Sequence, residues 1–152
     1  MHAAAVIKNN NAYLFFGKSG DGKSTAAKIS KRFKVIGDDI IAVKKEGRHY
    51  FAFATPWKQG AFIKAGKHDK ARIRAMFFLH KSERIAFQEL PPAEALSKIL
   101  YNHVHFFNHM EKEWAGKIWT TAVSFVRQVP AFKMEFKKDA DFWPELAKQL
   151  KP

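Results

Sequence analysis

The stretch LFFGKSGDGKST, residues 14–25, contains an apolar, strand-like run that breaks into a glycine-rich loop. The residues from 17 to 24 match the phosphate-loop (P-loop) pattern G-x-x-x-x-G-K-[ST] at every fixed position. An apolar run precedes the pattern and a helix-compatible segment follows it, which is the context that the motif requires. The stretch therefore predicts a loop that wraps the phosphates of a nucleotide or another polyphosphate.

Each residue type in the loop has a physical reason to be there. Glycines let successive backbone N–H groups point into one concavity, which attracts an anion. Lys23 would supply a mobile charge for the β- and γ-phosphates, and the Ser24 hydroxyl would coordinate Mg²⁺. The residues expected to contact the phosphates are Gly17, Ser19, Gly20, Asp21, Gly22, Lys23, Ser24 and Thr25.

Composition limits what else the chain does. Its 152 residues are enough for one domain, 1–152, and the apolar content of 47% supports a packed core. There is no cysteine, which excludes disulfides and cysteine-ligated metals. No apolar run approaches the ~20 residues of a membrane helix, so we expect a cytoplasmic protein without a membrane partner. The net charge of +13 favours anionic partners, but no nucleic-acid-binding motif is visible.

The hydrophobic pattern predicts an α/β domain in which strands dominate the first half and helices the second. The order is not a strict βαβ alternation, so we expect a mixed sheet with several antiparallel hairpins and C-terminal helices. The predicted strands cover residues 3–8, 12–16, 33–37, 40–43, 49–54, 72–80, 84–90 and 130–136. The predicted helices cover 23–33, two segments after residue 91 that separate near 107–108, and a closing segment capped by Asp139 or Asp141.

Two adjacent carboxylates, Asp38 and Asp39, directly follow the strand that ends at Gly37. Near a phosphate loop, one carboxylate would hold Mg²⁺ and the other would take a proton from an attacking hydroxyl. Adjacent residues of an extended strand point in opposite directions, so this division needs a turn, which Gly37 permits. An ordinary Asp-Asp turn at a strand end is the alternative.

The stretches MHAAAV, FFGKSGDGKST and KVIGDD together resemble the HPr serine kinase/phosphorylase family, which is related to phosphoenolpyruvate carboxykinases. A histidine before the hairpin, the glycine loop and an acidic pair occur in that order and at close to the family's spacing. The resemblance implies a P-loop, HPr kinase-like fold. It also implies that Lys23 and Ser24 bind phosphate and metal, that Asp39 binds the metal and that Asp38 is the general base, although the two aspartates could exchange roles. By the same resemblance, His2 lies near Asp38 and tunes its proton affinity.

Later stretches, FATPW, MFFLHKSE, LPPAEAL and VPAFKMEF, are similar to small stand-alone relatives of that kinase. The family's E-x-R-G signature is absent, and ATPW stands in its place. The resemblance therefore does not extend to recognition of HPr or to the reverse, phosphate-removing reaction. It does imply a possible homo-oligomer.

These observations predict a kinase that uses ATP, or another nucleotide or polyphosphate, with Mg²⁺. Its acceptor would be a peptide or protein serine or threonine, or a small-molecule hydroxyl. One alternative is a nucleotide-binding switch or ATPase that does not need the base. Another, motivated by the charge of +13, is a nucleic-acid-associated ATPase.

Weaker candidates lie elsewhere in the chain. His103 falls on the apolar face of a predicted helix and is expected to be a core histidine. His105 and His109 share a helix face but have no evident third metal ligand. The helix that carries Trp114 and Trp119 is expected to be core or an oligomer contact. Trp57 follows Thr-Pro in a loop where it would stack on a base or simply pack. A phosphate-binding or arginine-finger role is open to the basic residues Lys64, Lys67, His68, Lys70, Arg72, Arg74 and Arg127.

Overall fold

The computed structural model describes residues 1–56, 63, 65–66, 69–102 and 112–150. Within this part of the chain there are eight strands and four helices. The strands are Ala4–Lys8 (β1), Asn11–Phe16 (β2), Lys34–Gly37 (β3), Ala42–Glu46 (β4), His49–Phe53 (β5), Lys70–Lys81 (β6), Ala86–Glu89 (β7) and Ala131–Phe136 (β8). The helices are Lys23–Ile29 (α1), Pro92–Asn102 (α2), Lys112–Gln128 (α3) and Trp143–Gln149 (α4). The predicted mixed α/β class is confirmed.

Two antiparallel hairpins form where the turn residues predict them. Strands β1 and β2 pair from Lys8 and Asn11 outward, and Asn9 and Asn10 make the turn with φ of 49° and 59°. Asparagine tolerates positive φ better than most side chains, which explains its place there. Strands β4 and β5 pair in the same way around Gly47, whose φ is 58°.

The long strand β6 organises the sheet. Along one edge it pairs in parallel with β2. Along the other edge its first residues pair with β5 and its last six pair in parallel with β8. Strand β7 pairs with β8 instead of with β6, its neighbour in sequence. The reason is burial, because β8 is largely buried and takes the interior position, whereas β7 is half exposed and takes the edge.

Helices cover both faces of the sheet. On one face, α2 and α3 contribute Ile99 and Phe125 to a core that includes Leu14 and Phe16 of β2. On the other face, α1 and α4 pack over a core that includes Phe15. Successive residues of β2 therefore enter opposite cores, which explains its unbroken apolar run. No helix of the described residues is long and apolar enough to cross a membrane.

Three details of the helices differ from the sequence prediction. Helix α1 ends at Ile29 and not at Phe33, since the N–H groups of Lys31 and Phe33 donate to carbonyls three residues back and not four. Just after the helix, the Ser30 hydroxyl donates to the Ala26 carbonyl at 2.7 Å and accepts the Trp143 indole N–H at 2.9 Å. Helix α4 has Phe142 as its N-cap and not Asp139 or Asp141, although an Asp141 oxygen accepts the Trp143 N–H at 3.2 Å.

The third difference concerns α3, whose two tryptophans were expected to be core or an oligomer contact. Trp114 and Trp119 are 58% and 51% exposed, and the buried residues of the helix come later, at Ala122, Phe125 and Val126. The core interpretation is wrong for the two tryptophans, because the helix turns its first half away from the sheet. The predicted break near 107–108 lies outside the described residues.

Candidate functional site

Four strand ends meet at one edge of the sheet. Strands β2, β6 and β8 are parallel neighbours, and β3 runs in their direction because both β2 and β3 are antiparallel to β1. The glycine-rich loop follows β2, and the acidic pair follows β3. His2 precedes β1 and so lies at the same edge. In open α/β sheets, ligands bind outside the carboxyl ends of the strands.

The glycine-rich loop is shaped by its own hydrogen bonds. The Asp21 carboxylate accepts the Lys18 N–H at 2.6 Å, and the Asp21 N–H donates to the Lys18 carbonyl at 3.1 Å. Gly20 and Gly22 adopt φ of 89° and 105°, which side-chain-bearing residues rarely adopt. A Cβ on Gly17 would lie 2.7 Å from the Asp21 Cβ. Asp21 therefore fixes the loop's form.

The Lys23 ammonium is held inside the loop. Lys23 is only 7% exposed, and its Nζ donates to the carbonyls of Gly17 at 2.8 Å and Lys18 at 3.1 Å. Burial lowers the pKa of Lys23, and the negative charges of Asp39 and then Asp21 oppose that shift. The lysine thus carries a partly desolvated charge between the loop and the acidic pair.

The acidic pair is held by backbone pairing with the first residues of the chain. The Ala3 N–H donates to the Asp39 carbonyl at 3.0 Å, and His2 bridges to Ile40. Behind the pair, the Thr55 hydroxyl donates to the Ile40 carbonyl at 2.6 Å. Thr55 helps to position the acidic pair and was not predicted from the sequence. It lies two residues beyond the end of β5, and no sequence pattern there indicates a contact with Ile40.

The two carboxylates differ in environment. Asp38 is buried, with 5% exposure, whereas the Asp39 side chain is 29% exposed. The His2 Nε2 lies 3.0 Å from an Asp39 oxygen. The histidine expected beside Asp38 therefore makes its ion-pair contact with the neighbouring acid, and Asp39 is also the carboxylate whose charge acts most strongly on Lys23.

A cavity of about 410 Å³ lies between the loop and the acidic pair. Nine of the eleven predicted site residues line it: His2, Ser19, Gly20, Gly22, Lys23, Ser24, Thr25, Asp38 and Asp39. Gly17 and Asp21 do not line it, and both belong to the loop's internal framework. The cavity thus combines backbone amides, an ammonium, hydroxyls and two carboxylates on facing walls.

Oxygen donors in this cavity fit a hard divalent cation. The Ser24 hydroxyl and the carboxylates of Asp38 and Asp39 are the ligand types that Mg²⁺ prefers, and Mg²⁺ usually keeps waters and substrate phosphates as its other ligands. Within the described part of the chain, no group of three or more His, Asp or Glu side chains is arranged to hold a metal by itself.

The weaker basic candidates do not join this cavity. The last residue of β2, Phe16, pairs with Phe78 of β6, and Arg74 precedes Phe78 by four residues, which is roughly 13 Å at ~3.3 Å per residue. Arg72 and Lys70 are farther still from the glycine-rich loop. Arg127 lies exposed in the last turn of α3. The candidates Trp57, Lys64, Lys67, His68, His103, His105 and His109 lie outside the described residues.

A protein-family model and several solved structures match this chain. A family model described as "SynChlorMet cassette protein ScmC" matches residues 1–151. No curated protein matches the chain. A structure described as that of the Hpr(Ser) kinase/phosphatase from Coxiella burnetii is similar at a TM-score of 0.49 and 13% identity, over 99% of this chain and 91% of that chain.

Proposed function

The chain belongs to the family of SynChlorMet cassette protein ScmC, and we propose that it is a P-loop, HPr kinase-like phosphotransferase. It transfers a phosphoryl group from a Mg-nucleotide to a hydroxyl. The acceptor is a serine or threonine of a peptide or protein, in line with the sequence's resemblance to serine kinases. The alternative function is a switch that binds a nucleotide but transfers no phosphoryl group, and the experiment below distinguishes it from the kinase.

One observation carries this proposal. A buried ammonium, Lys23, sits within a loop whose positive-φ glycines line the same 410 Å³ cavity as Asp38 and Asp39. The loop side of the cavity suits a polyphosphate, and the acidic side suits a metal and a proton acceptor. Phosphate binding alone would not need two carboxylates, since they repel an anion unless a cation or a proton is also handled there.

The division of labour follows from the two environments. Asp39 acts on Lys23 electrostatically and contacts His2, so it stands on the phosphate side and would hold Mg²⁺ together with Ser24. Bound Mg²⁺ supplies neutralisation of the phosphate charge. Asp38 is left to accept the proton of the acceptor hydroxyl.

The reaction is an in-line displacement. The acceptor oxygen forms a bond to the γ-phosphorus, and its proton passes to Asp38. The bond from the γ-phosphorus to the bridging oxygen breaks, and the nucleoside diphosphate leaves with the electron pair. The Lys23 ammonium and the loop amides stabilise charge on the phosphoryl oxygens, so positioning and electrostatics supply most of the rate.

The test measures binding and transfer separately. Calorimetry gives the affinity for Mg-ATP, and γ-labelled nucleotide with serine and threonine peptides gives transfer, read as a mass shift. Asp38→Asn is expected to keep nucleotide affinity within a few-fold and to lower transfer by about 10² to 10⁴. Lys23→Met is expected to lose nucleotide affinity.

The matched control is Glu113→Gln, the same carboxylate-to-amide change on an exposed residue of α3. It is expected to match the unmodified chain in both assays. Equal transfer by Asp38→Asn would remove the base role and favour the switch. Equal nucleotide affinity in Lys23→Met, or no affinity in the unmodified chain, would remove the kinase proposal altogether.

A further inference from the structure

A second cavity, of about 420 Å³, opens on the other side of the glycine-rich loop. Gly20, Gly22 and Thr25 line both cavities. We propose that this second cavity holds the nucleoside half of the nucleotide donor and is the source of a preference for a nucleotide over an inorganic polyphosphate. The inference rests on the proposed function. The remaining lining residues are Lys81, Ser82, Glu83, Phe136 and Lys138.

Topology puts these residues beside the loop. Lys81 is the last residue of β6 and pairs in register with Phe136, the last residue of β8. The Ser82 N–H donates to the Phe136 carbonyl at 3.1 Å, which ties the two strand ends together. The cavity wall is thus built from the ends of two paired strands, at the sheet edge where α/β proteins bind ligands.

The floor of the cavity is rigid and apolar where it meets the loop. Phe136 is 2% exposed, and its ring lies under Gly22 so closely that a Cβ there would come within 2.6 Å of the ring. The ring also packs edge-on against Phe142, with centroids 6.1 Å apart. A preformed, partly apolar pocket of this size suits a small organic group, since ligand sites usually measure about 300–1,000 Å³.

The polar rim matches the other parts of a nucleotide. The ammonium groups of Lys81 and Lys138 suit the α-phosphate. The Ser82 hydroxyl and the Glu83 carboxylate suit ribose hydroxyls. The Glu83 side chain is 93% exposed and has an ion pair with Lys137 at 3.5 Å, which at such exposure contributes little and does not withhold the carboxylate from a ligand.

The two cavities fix the direction of the donor. The reacting phosphate belongs on the side of Asp38 and Asp39, because that cavity brings the Lys23 ammonium together with the two carboxylates proposed to hold the metal and accept the proton. The polyphosphate then crosses the loop at Gly20 and Gly22, and the nucleoside emerges toward Lys81. An inorganic polyphosphate would fill the first cavity and leave the second without an organic ligand.

The experiment compares the affinities of Mg-ATP and Mg-tripolyphosphate by calorimetry. The unmodified chain is expected to bind ATP at least tenfold more tightly. Ser82→Trp fills the second cavity, so it is expected to weaken ATP binding at least tenfold while tripolyphosphate affinity stays within about twofold. Lys81→Ala is expected to weaken ATP binding several-fold, and Lys44→Ala, an exposed lysine of β4, is the control that changes neither.

Equal affinities of the unmodified chain for the two ligands would overturn the inference, as would unchanged ATP affinity in both Ser82→Trp and Lys81→Ala. If Ser82→Trp does not fold by circular dichroism, Lys81→Ala decides alone. None of these outcomes contradicts the kinase proposal as long as Lys23→Met loses its affinity for Mg-ATP. If the unmodified chain binds neither ligand, the kinase proposal fails and this inference fails with it.

Discussion

The contact between Gly22 and Phe136 gives a quantitative test of the loop's geometry. In Gly22→Ala the alanine must adopt a backbone φ of 105°, and its Cβ would lie 2.6 Å from the Phe136 Cζ. The unusual φ costs about 1–3 kcal/mol. Overpacking against a buried ring costs about 1–3 kcal/mol more. We therefore expect a loss of about 2–6 kcal/mol in the free energy of unfolding.

A second glycine separates the two contributions. Gly20 has a similar φ of 89°, but a Cβ there would meet no heavy atom within 4 Å. Gly20→Ala should therefore lose only the conformational part, about 1–3 kcal/mol. Urea unfolding followed by circular dichroism measures both variants. The difference between them reports the steric contact with Phe136 alone.

A double-mutant cycle checks that assignment. Phe136→Leu removes the clashing ring atom, so its combination with Gly22→Ala should lose less stability than the sum of the two single changes, by about 1 kcal/mol or more. If Gly22→Ala is no less stable than Gly20→Ala, or if the two changes are additive, the close approach of the β8 end to the loop is wrong. The second cavity would then lose its floor.

Three further predictions concern single side chains. Because burial lowers the pKa of Lys23, the unfolded chain binds this proton more tightly, so stability relative to Lys23→Met should rise as the pH rises toward 10.5, as measured by urea unfolding across pH. Ser30→Ala leaves a buried indole N–H without its acceptor and should lower the unfolding free energy by about 1–3 kcal/mol, whereas Thr120→Ala on an exposed helix face should change it little, both read from thermal melts. His2→Gln should lower transfer and leave the free energy of unfolding within about 1 kcal/mol, since the ion pair that it removes, with Asp39, is partly exposed to solvent. Unchanged transfer would contradict a role for that contact.

The loop and the acidic pair were readable from the sequence for a physical reason. The conformation of residues 17–24 is determined by residues close together in the sequence, because glycine conformation and the loop's own hydrogen bonds depend on near neighbours. The two hairpins were readable for the same reason, through Asn9, Asn10 and Gly47. Most of the predicted residues lie at one cavity because β2 and β3, the strands that precede the loop and the acidic pair, run in the same direction.

What the sequence did not reveal depends on long-range contacts. The parallel pairing of β8 with β6 brings Phe136 to the carboxyl edge of the sheet, where it lies beneath Gly22, more than a hundred residues away along the chain. No local sequence pattern predicts that approach. The Ser30 hydroxyl accepts the indole N–H of Trp143 from α4, a long-range contact that helix propensity cannot predict. Likewise, the contact of His2 with Asp39 joins residues far apart in the sequence, so no local pattern predicts it.

The most direct test of the account is a map of backbone amide shifts by nuclear magnetic resonance during titration with Mg-ATP. The account predicts saturable shifts at the carboxyl edge of the sheet, in residues 17–25, 38–39, 81–83 and 138, and unchanged signals at Gly47 and in the first residues of β6. Shifts centred on the basic residues of β6 that precede Ala75, or no saturable shift at any amide of the glycine-rich loop, would contradict it.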